Sequence, residues 1–142
     1  FIRDQRMIDI LEEEHYDYVV DAIDTLSPKV FLVYHSLRLK LPVVSSMGAG
    51  GKYDPTAIRV ADISETNFCN LARMLRKKLH KLGVHEGFLA VYSPEAVDKE
   101  LIVRGSAESN KASSVGTMSY MPAAFGIACA SVVIRELAGI SP

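Results

Sequence analysis

Between Tyr16 and Lys29 an apolar run ends in two carboxylates and a helix starts at once, and this junction restricts the fold more than any other stretch. Tyr18, Val19 and Val20 are the unbroken apolar run of a strand covered on both faces, set within a β-favouring segment from Tyr16 to Ile23. Strands of that kind occupy the middle of α/β sheets. Asp21 and Asp24 fall at or just beyond the strand's carboxyl end, where open α/β sheets collect their ligands. Ser27-Pro28 then offers a capping hydroxyl and a proline at the first helical position, where a missing N–H costs nothing. Two readings of the carboxylates stand at this point. Asp24 or Thr25 can cap the helix and Asp21 can be a solvated strand end, or the pair marks a site.

The rest of the chain repeats the strand and helix alternation. Met7, Ile8 and Leu11 recur at helical spacing over Arg6 to Glu14, with Asp9 and Glu12 to Glu14 facing water. Pro28 to Lys40 is apolar on most sides, which predicts a helix buried between the sheet and another layer or subunit, and hence a homodimer contact. Leu41-Pro42 ends it and Val43 to Ser46 reads as a second, parallel strand. Gly48-Ala49-Gly50-Gly51 is not a Walker loop, because Lys52 is followed by Tyr53 and Asp54-Pro55-Thr56 makes a turn where the phosphate-binding helix should begin. A turn, or a backbone brought close to a ligand, a cation or a neighbouring subunit, both suit that glycine density.

Ala57 to Ile63 alternates as a half-exposed strand, added antiparallel. The helix after Thr66 or Asn67 places Phe68, Leu71, Ala72, Leu75, Leu79 and Leu82 on one face. Its outer side carries Arg73, Arg76, Lys77, Lys78 and Lys81: an ordinary solvated face, or an RNA contact. Gly83 closes that helix and Phe88 to Tyr92 gives another strand. Glu95 to Ser119 reads as a polar loop over a site. A last helix from Pro122 carries Phe125, Ala128, Cys129, Val132, Val133 and Leu137 at core spacing, with Ala123, Ala124, Gly126 and Ala130 permitting close packing.

Composition removes some classes of function. The 16 basic and 17 acidic residues nearly cancel, so no global field selects a polyanion. Cys69 and Cys129 show neither zinc nor disulfide spacing and suit a reducing compartment; Cys129 reads as a buried thiol, whereas Cys69 near a helix N-terminus is the more reactive candidate. Pro122 to Ile134 is the longest apolar stretch, short of the ~20 residues that cross a bilayer, which predicts a cytoplasmic protein with no membrane segment. The opening FIRD reads as the end of an element already under way, so an excised C-terminal part of a longer protein is expected.

The order DAIDTLSPK, LPVVSSMGAGGKYDPTAIRVADISET, LARMLRKKLHKLGV and FGIACASVVIREL resembles the ThiF/MoeB/HesA superfamily of ubiquitin-activating-like adenylating enzymes, nearest to its tRNA threonylcarbamoyladenosine dehydratase branch. The resemblance covers about Tyr16 to Leu137, and DAID with GAGGKYDPT is its most specific part. It implies one α/β domain over residues 1–142, the C-terminal part of a Rossmann-like fold: a mixed sheet of parallel strands with antiparallel additions and helices on both faces. It implies ATP and magnesium as cofactors, adenylation of a carboxylate on tRNA, and then ring closure with loss of AMP. By the family pattern Asp24 is the catalytic and metal-holding carboxylate. Asp24, Thr25 and Lys29 are the ATP contacts, Asp21 is structural, and Arg73, Arg76, Lys77 and Lys81 are candidate tRNA contacts. The family's glycine-rich nucleotide loop, phosphate-binding arginines and catalytic lysine belong to an N-terminal half not found here, so this chain alone is expected to be inactive. A sulfur-carrier adenylyltransferase with a sulfur-transfer partner protein is the alternative inside the superfamily, and a non-catalytic dimerisation or docking domain the alternative outside it.

Overall fold

A computed structural model describes residues 5–98, 102–104 and 113–140. Helix α1 (Gln5–Glu13) leads to strand β1 (Val19–Asp21), helix α2 (Leu26–Arg38) and strand β2 (Val43–Ser46). Strand β3 (Arg59–Asp62), helix α3 (Asn70–His80) and strand β4 (Leu89–Tyr92) follow. Strands β5 (Ile102–Arg104) and β6 (Ser113–Val115) form an antiparallel hairpin before helix α4 (Tyr120–Leu137). The main sheet has the order β1-β2-β4-β3, with β1, β2 and β4 parallel and β3 antiparallel to β4. The expected mixed α/β sheet is therefore present, with helices on both faces.

Strand pleating explains the two cores. Val19, Val43 and Ala90 point to one face, where Met7 and Leu11 of α1, Val30 and Val33 of α2, and Ala72, Leu75 and Leu79 of α3 cover them. Val44 and Val91 point to the other face and pack against Met121, Phe125, Cys129 and Val132 of α4. Both layers meet over β2 and β4, which is why Val43-Val44 and Ala90-Val91 are apolar without alternation. Full burial of Leu75 or Leu79 contributes about 1.5–3 kcal/mol each, and Leu75→Ala would cost about 2–5 kcal/mol once the cavity it leaves is counted.

Strand β1 departs from expectation. It is shorter than Tyr16 to Ile23 and, among the described residues, pairs only with β2. Val20, in register with Val44 and so on the α4 side, is 50% exposed. On that face Tyr18 still reaches the α4 core, but Val20 does not, because α4 lies over the middle of the sheet and leaves the end of this edge open. Much of the apolar circumference of α2 is taken up against the sheet, α1 and α3, while Phe31 and Leu39 stay exposed.

The ends of the helices were less legible. Helix α2 begins at Leu26, with Thr25 at the cap position, extended and making no side-chain cap bond, so Ser27 is not the cap. It closes with Lys40 at φ 59° where glycine is usual, the Leu41 N–H reaching the Ser36 carbonyl at 2.9 Å. Helix α3 starts only at Asn70, because Thr66 is engaged in the preceding 3-10 turn, where its hydroxyl donates to the Ile63 carbonyl. Phe68 consequently lies outside the helix, 69% exposed and at φ 47°, and not on the core face; Leu82, past the helix end, is also exposed. Gly83 closes α3 at φ 80°, as expected.

The stretch read as a polar loop holds the β5–β6 hairpin. Helix α4 has the expected core side, but Leu137 and Ala123 are exposed, and Gly126 and Ala130 border a cavity, so among the described residues these small residues are not closely packed. Ile127 and Ile134 are 71% and 65% exposed, leaving an apolar outer face. At 18 residues α4 reaches the lower range of membrane-crossing lengths, yet its other side is packed onto the sheet as a layer of the domain.

Candidate functional site

A cavity of about 1070 Å³ opens where β1 and β2 end at their carboxyl edge, between the α3 side of the sheet and α4. Asp24 and Thr25 line it from the turn after β1, and Ser46, Gly48, Ala49 and Gly50 from the turn after β2. Asn70 and Cys69 contribute from the start of α3, and Phe125 and Cys129 from α4. Asp24 is exposed and Thr25 half-buried on that wall.

Lys29 stands apart from them. It is fully buried, absent from the cavity wall, and its ammonium lies 2.7 Å from the Asp21 carboxylate. It also donates to the carbonyls of Ile23 at 3.0 Å and Ser46 at 2.8 Å, which occupies all three of its N–H groups. In this geometry Lys29 is an internal cation and not an ATP contact; its position one turn into α2 aims it beneath the β1 edge. Asp21 completes the unit by accepting from the Ser45 hydroxyl and, at 3.0 Å, from the Ile23 N–H. It is not a solvated strand end.

The glycine turn is fastened from below. Lys52 is 1% exposed and its ammonium donates to the carbonyls of Phe68 and Ser93, at 3.2 and 3.1 Å, and of Glu95. Burial pushes the Lys52 pKa down, opposed by the charges of Cys69 and Glu95. The Glu95 carboxylate returns the link by accepting from the N–H groups of Tyr53 and Asp54 and from the Ser93 hydroxyl at 2.7 Å. Burial acts to raise the Glu95 pKa, but these hydrogen bonds and the Lys52 charge more than offset it and hold the carboxyl below its ordinary range. Tyr120 at the start of α4 donates to the Tyr53 carbonyl at 2.8 Å. None of this bracket was foreseen, because a lysine in a glycine-dense turn carries no sequence mark of being buried.

Gly51 explains the glycine density. It sits at φ 67°, its N–H reaches the Gly116 carbonyl at 2.8 Å, and a Cβ there would lie 2.7 Å from Val97 Cγ1. The turn therefore brings backbone against the residues flanking the hairpin, on the wall of the cavity.

The basic side of α3 divides in two. Arg73, Lys77 and Lys81 are exposed, whereas Arg76 is half-buried and donates to the Ile63 and Thr66 carbonyls, at 3.3 and 2.8 Å, and to the Thr66 hydroxyl. Arg76 is thus a cross-link inside the protein through one of its terminal nitrogens. Both cysteines are buried, Cys69 at 7% and Cys129 at 3% exposure, and burial pushes the Cys129 thiol up.

Among the described residues Asp24 is the one acidic side chain lining the cavity, and no group of three His, Cys, Asp or Glu side chains could hold a metal. A lone carboxylate does not suit an all-protein cage. It does suit magnesium, which keeps several waters and shares the phosphates of its substrate.

A partly parallel sheet layered on both sides by helices, with its cavity at the carboxyl edge, defines a Rossmann-like α/β ligand-binding domain. No protein-family model matches the sequence. The chain is 34% identical over 139 residues to the tRNA threonylcarbamoyladenosine dehydratase of Escherichia coli, covering 86% of this chain and 52% of that protein. It is 42% identical over 80 residues to the Bacillus subtilis enzyme of the same name, covering 56% of this chain and 32% of the relative. The solved E. coli tRNA N6-threonylcarbamoyladenosine dehydratase in complex with ATP superposes with a TM-score of 0.79 at 30% identity, over 93% of this chain and 52% of that one. The same enzyme in complex with AMP gives a TM-score of 0.78. The chain is a homologue of the tRNA threonylcarbamoyladenosine dehydratases, which are ThiF/MoeB-like proteins, and corresponds to their C-terminal part. It spans about half the length of the E. coli enzyme and about a third of the B. subtilis one.

Proposed function

We propose that this chain forms the C-terminal part of an ATP-dependent tRNA threonylcarbamoyladenosine dehydratase. The observation that carries this reading is Asp24, an exposed carboxylate at the carboxyl edge of β1, facing the glycine turn across a cavity in a chain homologous to ATP-bound relatives. The tRNA-borne carboxylate attacks the α-phosphorus of ATP, forming an acyl adenylate and releasing pyrophosphate. A nucleophile within the same side chain then attacks the activated carbonyl, closing a ring and expelling AMP, so the modified tRNA loses the elements of one water.

Both reactants are anionic, and the work of the site is to hold them together against their repulsion. Asp24 would hold magnesium together with the nucleotide phosphates, and Thr25 would bond the nucleotide beside it. Magnesium, when bound, neutralises phosphate charge. The exposed Arg73, Lys77 and Lys81 supply positive charge for tRNA. A cytoplasmic homodimer accords with this activity, and the apolar outer face of α4 suits burial against a second subunit or the remainder of the domain. A thioester-forming sulfur-carrier activation would need a mobile, exposed thiol, whereas Cys69 and Cys129 are largely buried in the cavity wall.

The test is the full-length protein with ATP and magnesium on tRNA bearing threonylcarbamoyladenosine, read by mass spectrometry. Loss of one water is expected, and its absence would refute the reading. Asp24→Asn should lower turnover at least 100-fold with unchanged thermal stability; full activity would return Asp24 to a helix-end role.

A further inference from the structure

We propose that Asp21 and Lys29 are positioning residues that hold the peptide of Ile23 from both sides and so aim Asp24 into the cavity. This rests on the assignment of Asp24 as the functional carboxylate. Strand pairing ends at Asp21, and α2 starts at Leu26, so residues 22–25 cross the edge of the site without a ladder partner. The buried pair supplies what the ladder does not. Asp21 Oδ1 accepts the Ile23 N–H at 3.0 Å, and Lys29 Nζ donates to the Ile23 carbonyl at 3.0 Å. Both polar groups of the residue immediately before Asp24 are thus tied to two side chains that are themselves joined at 2.7 Å and wholly removed from solvent.

The same ammonium reaches across to the Ser46 carbonyl at 2.8 Å, and the same carboxylate takes the Ser45 hydroxyl. These bonds set the end of β1 against the end of β2, so the Asp24 turn and the glycine turn keep a fixed separation across the cavity mouth. Stability does not explain the arrangement. A buried ion pair is commonly matched or exceeded in stability by apolar side chains of like volume, because desolvation consumes most of its attraction. Apolar side chains, however, could not hold an N–H and a carbonyl of one residue at once. The pair makes the backbone unique at one point, one residue before the acting carboxylate.

The discriminating variant is the neutral double substitution Asp21→Asn with Lys29→Met in the full-length protein, which leaves no unpaired buried charge. Its affinity for ATP in the presence of magnesium, measured by titration calorimetry, is expected to fall at least 10-fold. On the Asp24→Asn background the same double substitution should change affinity by less than 2-fold, because its effect travels through Asp24. An equal loss on both backgrounds, or no loss on either, overturns the positioning role. If Asp24→Asn alone leaves ATP affinity unchanged, the assignment of Asp24 fails and the proposal fails with it. Amide exchange on the unaltered protein gives a check that requires no variant: the Ile23 N–H should exchange at least 100-fold more slowly than that of exposed Ala22. Equal rates would overturn the proposal.

Discussion

Gly51→Ala tests the wall of the cavity. Two costs add at this residue. The backbone is at φ 67°, where a Cβ costs about 1–2 kcal/mol. The new Cβ would also lie 2.7 Å from Val97 Cγ1, 3.3 Å from Val97 Cγ2 and 3.1 Å from Val115 Cγ1, an overpacking worth about 1–3 kcal/mol. The sum is about 2–5 kcal/mol. Gly83 isolates the first cost, since it sits at φ 80° with nothing within 4 Å of its would-be Cβ, so Gly83→Ala should cost about 1–2 kcal/mol alone. At roughly 4 °C per kcal/mol for a chain of this size, thermal unfolding should show Gly51→Ala lowered by about 8–20 °C and Gly83→Ala by about 4–8 °C. Val97→Ala removes two of the three close atoms, so the pair Gly51→Ala with Val97→Ala should be at least about 1 kcal/mol more stable than the sum of the single changes. Equal losses at Gly51 and Gly83, or additivity within about 0.5 kcal/mol, would refute the packing of the turn against Val97.

On α3, Arg76→Ala should cost about 1–3 kcal/mol in denaturant unfolding, because the Ile63 and Thr66 carbonyls lose a charged donor. Substituting exposed Arg73, Lys77 or Lys81 by alanine should change stability by less than about 0.5 kcal/mol, and on the proposed function each should lower the salt slope of tRNA binding in the full-length protein by roughly 1. Glu95 has a folded pKa below its unfolded one, so its stabilisation is complete above the ordinary glutamate value of about 4.3 and is lost as pH falls through the folded value. Glu95→Gln should therefore flatten the acid limb of stability against pH in that window, and an unchanged limb would contradict the bonds to Tyr53 and Asp54.

Local patterns carried the architecture because side-chain period reports burial directly. Val43 to Ser46 and Phe88 to Tyr92 were legible as strands, though their cover on both faces was not, and Leu75 and Leu79 announced one covered helix face. Val20 showed the limit of that inference: its apolar neighbours say that a strand wants cover, not that this chain supplies it. Thr25 came only through the family resemblance, whereas Asp24 was legible as a cavity residue because strand ends are predictable places. Lys29, Lys52 and Arg76 were not, since a cation held by carbonyls of distant segments reads in sequence like one held by water. Cys69 misled in a similar way: the thiol stands at the cap position of α3 as expected, but buried.

The edge position of β1 has a thermodynamic consequence. Among the described residues its hydrogen-bonding capacity is met on the β2 side only, and the residues that follow it, Ala22 to Thr25, line the cavity. Any strand that zips onto the open side and any nucleotide that enters the cavity act on one short stretch of backbone. Any coupling between the two is reciprocal: a strand that tightened nucleotide binding tenfold would itself be held tenfold tighter by the nucleotide, about 1.4 kcal/mol in either direction.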